Sequence, residues 1–370
     1  MRIAVVHHGL NTLGGAERLC LSTIEAFVER GWHVILATIE PTDWSRISSR
    51  WGSVVKPDEE ITVSIPVKGF TIYKRLLTSL IIPGLRRQVD LVVNTHGDAL
   101  AANADITYMH FPVFTLWEWA HHKYERGFWR LYFTPYYLLQ KELAKRHTST
   151  VLLTNSSFSA SVIYRALNRK ALVLYPPVDI DRYISLEGRR ETSVVSIGRF
   201  SPEKRYEFIV EVAERLRDTF FYIAGSVSGT KESRRYYEKI KSMVEEKDLK
   251  NVELIPDASD KKLMSILSTA KIYLHSMINE HFGISIVEGM SAGLVPVVHK
   301  SGGPWHDIVE YGRYGYGYLN TSEAVEVIKH AISSYDKMKD AVRIRSMFFS
   351  KNKFKKKIVR VVEKYAELKV

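Results

Sequence analysis

What the chain lacks narrows its class first. Its 370 residues hold one cysteine, Cys20. That excludes an internal disulfide framework and fits a reducing compartment, so a cytoplasmic location is expected. Cys20 stands among Leu19, Leu21 and Ile24 in a helical pattern, the setting of a buried core thiol. No run of about 18 apolar residues occurs, so no membrane-spanning helix is expected. The nearest candidate, Leu76–Leu85, is interrupted by Thr78, Ser79, Pro83 and Gly84. The opening run Met1–Val6 is short and leads to a glycine turn, which reads as a strand rather than a signal peptide. Zinc-finger spacing of Cys and His and the aromatic RNA-binding signature are both missing, which argues against nucleic acid as a partner. Acidic residues are in deficit, 41 against 53 basic, for a net charge of +12. Without a nucleic-acid motif, that balance points to a phosphorylated substrate or an anionic membrane surface.

What is present is an alternation. Short apolar, β-branched runs recur at Ile3–His7, Val34–Thr38, Ile61–Ile65, Leu91–Asn94, Ile106–Met109, Val151–Thr154 and Leu172–Leu174. They recur again at Val194–Ile197, Phe220–Ala224, Val252–Ile255, Ile272–Leu274 and Val295–Val298, with amphipathic stretches such as Ala16–Arg30 and Glu203–Arg217 between them. Strands separated by helices form parallel sheets with crossover connections. Twelve strands overfill one sheet, so the expectation is an α/β chain of two doubly wound, Rossmann-like domains. Tyr175-Pro176-Pro177 removes two backbone donors and stiffens the chain, which suits a boundary. This places an N-terminal domain over 1–175 and a C-terminal one over 176–349, with a lysine-rich helix at about 350–370 packing back on the first.

Four constellations carry chemistry. Glu280 lies in a loop before a helix that starts near Gly283, and Glu288 lies on that helix, more than two turns in. A helix start aims free N–H groups and a positive dipole end at the loop, which suits a phosphate, and flanking carboxylates suit sugar hydroxyls. An ordinary amphipathic helix with two solvated glutamates fits the spacing as well. Gly198–Arg205 follows a strand and opens a helix, with Ser201 as N-cap, Pro202 at the first helical position and Lys204 in the first turn. Cations there oppose the helix dipole unless an anion sits between Arg199 and Lys204, a fork and a point charge that together suit a diphosphate. A solvated basic helix start is the plainer reading. Gly14-Gly15 after the first strand would permit positive φ and close approach of a ligand to the backbone, or make a tight turn. Ser301-Gly302-Gly303-Pro304 would likewise let N–H groups face the cleft, or serve as a connection. His110 stands at a strand's carboxyl end, where sites form, although a lone histidine is more often structural.

Taken in order, Gly14-Gly15-Ala16-Glu17, Gly198-Arg199-Phe200-Ser201-Pro202-Glu203-Lys204 and the Glu280/Glu288 pair resemble the retaining glycosyltransferases of family 4, whose fold is GT-B. Tyr175-Pro176-Pro177, Asn279–Ile284 and Ser301–Pro304 are similar to the branch that transfers mannose from GDP-mannose to lipid-linked (polyprenyl or dolichyl) glycans. The resemblance implies that Arg199 and Lys204 hold the donor diphosphate and Glu280 contacts the transferred sugar. It implies that Glu288 binds the ribose and that Phe282, Gly283 and Ile284 offer backbone contacts. It implies that Gly14 and Gly15 cover the phosphates and that His110 lies near the sugar. It implies no cofactor and no metal ion, the nucleotide-sugar being a substrate. A donor such as UDP-glucose with a soluble acceptor, or a noncatalytic nucleotide-sugar binder, are the alternatives.

The acceptor has to be read from the first half. Aromatic residues crowd Tyr108–Tyr137, with Lys123, Arg126 and Arg130 interleaved. Lys68–Arg87 is basic without an acid and carries Leu76, Leu77, Leu80, Ile81 and Ile82. Such a mixture fits a surface lying on anionic lipid. Peripheral attachment to the cytoplasmic face of a membrane is therefore expected, although aromatics filling a core would give the same composition.

Overall fold

The computed structural model describes residues 1–63, 78–97, 104–112, 127–146 and 151–369. Contact density divides the chain into two compact units, Met1–Pro177 with Lys351–Val370, and Val178–Ser350.

The first unit carries β1 (Arg2–Val6), β2 (His33–Thr38), β3 (Glu59–Thr62), β4 (Leu91–Asn94), β5 (Ile106–Met109), β6 (Val151–Thr154) and β7 (Leu172–Val173). Among the described residues they form one sheet in the order β3-β2-β1-β4-β5-β6-β7, and every pairing is parallel. A parallel sheet is covered on both faces, which explains why β1 reads as a continuous apolar run instead of an alternation. Ile3 and Val5 face one core cluster, and Ala4 and Val6 the other. Each fully buried Ile or Val side chain contributes about 1.5–3 kcal/mol, so Val5→Asp would break the sheet at its centre.

The Gly15–Glu29 helix buries Leu19, Ile24 and Phe27 against β1 and β2, and the Lys351–Lys369 helix adds Phe354, Ile358 and Val362 to the same cluster. Lys355 crosses between the two helices to Glu25 at 2.9 Å and Glu29 at 2.6 Å.

The second unit carries β8 (Ser193–Ile197), β9 (Phe220–Gly225), β10 (Val252–Pro256), β11 (Ile272–His275), β12 (Val295–His299) and β13 (Tyr316–Tyr318). Their order is β10-β9-β8-β11-β12-β13, again parallel throughout. The strand β13 was not expected, because Tyr316-Gly317-Tyr318 is too short to give a pattern. In both sheets the strand order reverses beside the first strand, between β1 and β4 and between β8 and β11. A crevice opens at the carboxyl ends of such strands.

Part of the lipid-facing expectation is overturned. Tyr108, Phe111, Phe133 and Tyr136 are buried, as are Ile81 and Ile82, which pack in the cluster that holds Ala4 and Val6. Their apolar area fills the unit instead of lying at its surface. Phe114, Trp117, Trp119, Tyr124, Leu76, Leu77 and Lys68 fall outside the described residues. Leu131, Leu138 and Leu139, on the Gly127–Arg146 helix, are exposed at 74%, 57% and 43%.

Candidate active site

At the crevice of the second sheet, β8 delivers Gly198–Lys204 and β11 delivers Ser276–Gly283. Lys204 Nζ lies 2.7 Å from Glu280 Oε2, and both side chains are mostly buried, 20% and 15% exposed. His275, the last residue of β11, sits under the pair with Nε2 3.4 Å from the same Oε2. Burial alone would raise the Glu280 carboxyl, yet the Lys204 ammonium and His275 hold it well below the usual carboxylate range. Burial lowers the His275 imidazole against the pull of Glu280, so His275 is neutral at working pH. One ion pair over a neutral imidazole is the result. His275 was missed by sequence reasoning; the signal available was a polar residue closing an otherwise apolar strand, five positions before Glu280.

The backbone under this pair is locked from several sides. Ser276 Oγ donates to the Lys204 carbonyl. Arg205 takes left-handed backbone (φ 51°) and ends a 3₁₀ turn over Pro202–Lys204. The α-helix therefore starts at Tyr206, and Lys204 is not in its first turn as expected. Ser201 makes no side-chain cap; its hydroxyl donates to the Arg199 carbonyl at 3.4 Å. Arg199 itself is exposed.

The Ser301–Gly303 loop seals the Glu280 segment. Gly303 N donates to the Glu280 carbonyl at 2.9 Å, so that N–H is spent inside the protein rather than facing a ligand. Asn279 N donates to Ser301 Oγ at 2.9 Å. At Gly302 (φ 69°) a Cβ would stand 2.4 Å from the Glu280 carbonyl oxygen, a spacing only glycine permits.

Phe282 is buried edge-on to Phe349, with ring centroids 5.4 Å apart. Gly283 takes φ 100° and caps the Ile284–Ser291 helix. Glu288 is the fifth residue of that helix, so it lies little more than one turn in, not more than two. Its carboxylate and that of Glu280 both act on Tyr273, whose hydroxyl donates to the Ile197 carbonyl at 3.0 Å. Burial, with those two charges, pushes the Tyr273 phenol up, against hydrogen bonds from Ser285 and the backbone.

The remaining expected residues belong to the first unit. Gly14 caps the Gly15–Glu29 helix with φ −96°, and Glu17 Oε2 accepts from its N–H at 2.8 Å. Neither glycine takes positive φ; the left-handed residue of this turn is Leu13 (φ 56°). His110 follows β5, with Nε2 3.1 Å from the Thr95 carbonyl. A carbonyl only accepts, so Nε2 carries the proton and a neutral His110 keeps its lone pair on Nδ1.

The sequence profile of the family described as "Glycosyl transferases group 1" matches residues 179–346, nearly the whole second unit. The GDP-Man:Man(3)GlcNAc(2)-PP-Dol alpha-1,2-mannosyltransferase of Neurospora crassa is 33% identical over 220 residues, 53% of this chain and 39% of that protein. Its counterpart in Xenopus laevis is 34% identical over 178 residues, 44% of this chain and 36% of the other. The matched stretches thus span well under half the length of those relatives.

Among solved structures, Anabaena HepE in complex with UDP and glucose superposes with a TM-score of 0.73 at 16% identity, covering 98% of this chain and 99% of that one. WaaG, a glycosyltransferase involved in lipopolysaccharide biosynthesis, gives 0.68 at 17%, covering 94% and 95%. These two likenesses concern the fold, which is GT-B. No helix among the described residues is long and apolar enough to cross a membrane. The profile thus marks the second unit as a group 1 glycosyl transferase domain, and the chain as a whole has the GT-B fold.

Proposed function

We propose that the protein is a retaining glycosyltransferase that moves mannose from GDP-mannose to a lipid-linked glycan. The observation that carries this reading is the Lys204–Glu280 pair at the switch crevice of the second sheet. A donor diphosphate entering there competes with Glu280 for the Lys204 ammonium, and Glu280 is released towards the sugar hydroxyls. Arg199, exposed on the same loop, is available to the second phosphate. Glu288 would take the ribose, and the backbone of Phe282, Gly283 and Ile284 the sugar and phosphate. The bond from the anomeric carbon to the phosphate oxygen breaks, the acceptor oxygen forms the new bond on the same face, and the leaving phosphate oxygen takes the acceptor's proton. Cations already in place stabilise that oxygen more in the transition state than in the ground state. On this reading no metal ion is needed at the diphosphate. Mannose and the lipid-linked acceptor are supported by the activity for which the relatives at 33% and 34% identity are named.

Peripheral membrane attachment belongs to the same proposal. It is supported by the exposed Leu131, Leu138 and Leu139, which share one side of a helix at i, i+7 and i+8. Liposome flotation with anionic and neutral vesicles tests it, and binding that ignores lipid would overturn it. The activity is tested by offering radiolabelled nucleotide sugars with a membrane lipid extract. Label from GDP-mannose is expected in the organic phase. Transfer from UDP-glucose alone, or into water-soluble product alone, would overturn the assignment.

A further inference from the structure

The first sheet carries a second cluster at its own switch crevice. His7 and His8 follow β1, and His96 follows β4 after Thr95. The ring centroids of His8 and His96 are 3.9 Å apart, and His7 lies 5.0 Å from each. One nitrogen from each ring falls within 4.8 Å of the other two. His7 and His96 are buried and His8 is half-buried.

The orientation of His7 is set by a second layer. Thr95 Oγ1 donates to the Val6 carbonyl at 3.1 Å, so its single proton is used. Its oxygen therefore accepts from His7 Nδ1 at 2.9 Å. A neutral His7 then carries its lone pair on Nε2, which lies 4.0 Å from Glu17 Oε1. That gap is too long for a hydrogen bond and close to the span of two ligands on one ion. Thr12 Oγ1 and Gly14 N donate to the two Glu17 carboxylate oxygens and hold the group in place.

We infer that His7, His8 and His96 form a binding site for a divalent transition-metal ion of the zinc class, with Glu17 as its carboxylate partner beside His7. Imidazole nitrogens with one carboxylate suit zinc and its neighbours, whereas magnesium and calcium require oxygen ligands. Cys20 is not part of this cluster; it packs in the core with Leu19 and Ile24. Two ligands at the tetrahedral angle of a zinc ion stand about 3.4 Å apart, so the cluster has to draw in by roughly 1 Å on loading. His8, the half-buried member after the strand has ended, is placed to make that movement.

The test uses the whole chain after chelator treatment, titrated with zinc chloride and separately with cobalt(II). One equivalent per chain is expected, with visible cobalt absorption of a four- or five-coordinate nitrogen site and a raised melting temperature in zinc. His8→Ala and His96→Gln should each weaken binding at least tenfold, while His33→Ala, an exposed histidine on β2, leaves it unchanged. In the wild-type chain labelled with ¹⁵N-histidine, ring signals of three of the 13 histidines should move on zinc addition. That readout does not depend on the variants folding. No stoichiometric uptake, uptake that both variants leave intact, or movement of exposed histidines only would overturn the assignment.

Discussion

The two sheets share a strand order around the switch, and at that point each sets a carboxylate beside an imidazole. In the first it is Glu17 with His7 at 4.0 Å, in the second Glu280 with His275 at 3.4 Å. In both, protein contacts outweigh burial and keep the acid ionised. The hydroxyl that follows the central strand, Thr95 after Asn94 and Ser276 after His275, donates in each case to a carbonyl of the neighbouring β1 or β8 segment. The difference lies in what completes the group. The second crevice adds the Lys204 ammonium and exposed Arg199, so it is cationic and ready for an anion. The first adds two more imidazoles, lone-pair donors when neutral, around a fixed negative charge. One scaffold thus presents opposite ligand preferences through a few side chains at the strand ends, which is why fold alone does not give function.

The sharpest way to break this comparison is to remove the ammonium. Lys204→Ala should lower single-turnover transfer by about a hundredfold or more, the scale of losing one preorganised donor to a leaving oxyanion. A loss of only a few-fold would mean that Lys204 serves the structure and not the phosphate.

Next comes Glu280→Gln, which leaves Lys204 without its carboxylate. The pair is neither fully buried nor exposed, so a cost of about 2 kcal/mol is expected, between the surface and buried limits. Its pH dependence has a definite sign. The folded pKa of Glu280 lies below the ordinary 4.5, so the charged form stabilises the fold above that value. The contribution is lost as pH falls through the depressed folded value. The stability gap between wild type and Glu280→Gln should be full at about pH 7 and shrink below about pH 4.5 in urea titrations. A gap that does not change with pH would show that the ion pair is not its source.

Much of this was legible in the sequence, because parallel strands buried on both faces leave unbroken apolar runs. All twelve expected runs overlap strands, the third only in part: expected at Ile61–Ile65, the strand runs over Glu59–Thr62 among the described residues. Lys204, Glu280, Gly302 and Gly303 were each singled out locally. Their convergence was not visible, since Gly303 N reaching the Glu280 carbonyl is a contact across 23 residues. The turn chemistry was misread where left-handed backbone falls on residues other than glycine. Arg205 breaks the expected helix after Lys204, and Leu13 takes the conformation assigned to Gly14 or Gly15. His275 and the three-histidine cluster escaped for one reason. A single His at a strand end carries no pattern, and only the sheet order brings His7 and His96 together.

The smallest effect sharpens the comparison through its shared hydroxyls. Ser276 Oγ donates to the Lys204 carbonyl and so fixes the loop that presents the ammonium. One such hydrogen bond is worth about 1 kcal/mol net, so Ser276→Ala should reduce kcat/KM for the donor by about fivefold. The loss should fall mainly on donor KM, because the ammonium is still present but less well held. Ser276→Thr keeps the donor and should recover most of the rate. If Ser276→Ala leaves kcat/KM intact while lowering the melting temperature, the hydroxyl only ties β11 to β8, and the likeness to Thr95 is one of packing rather than of site construction.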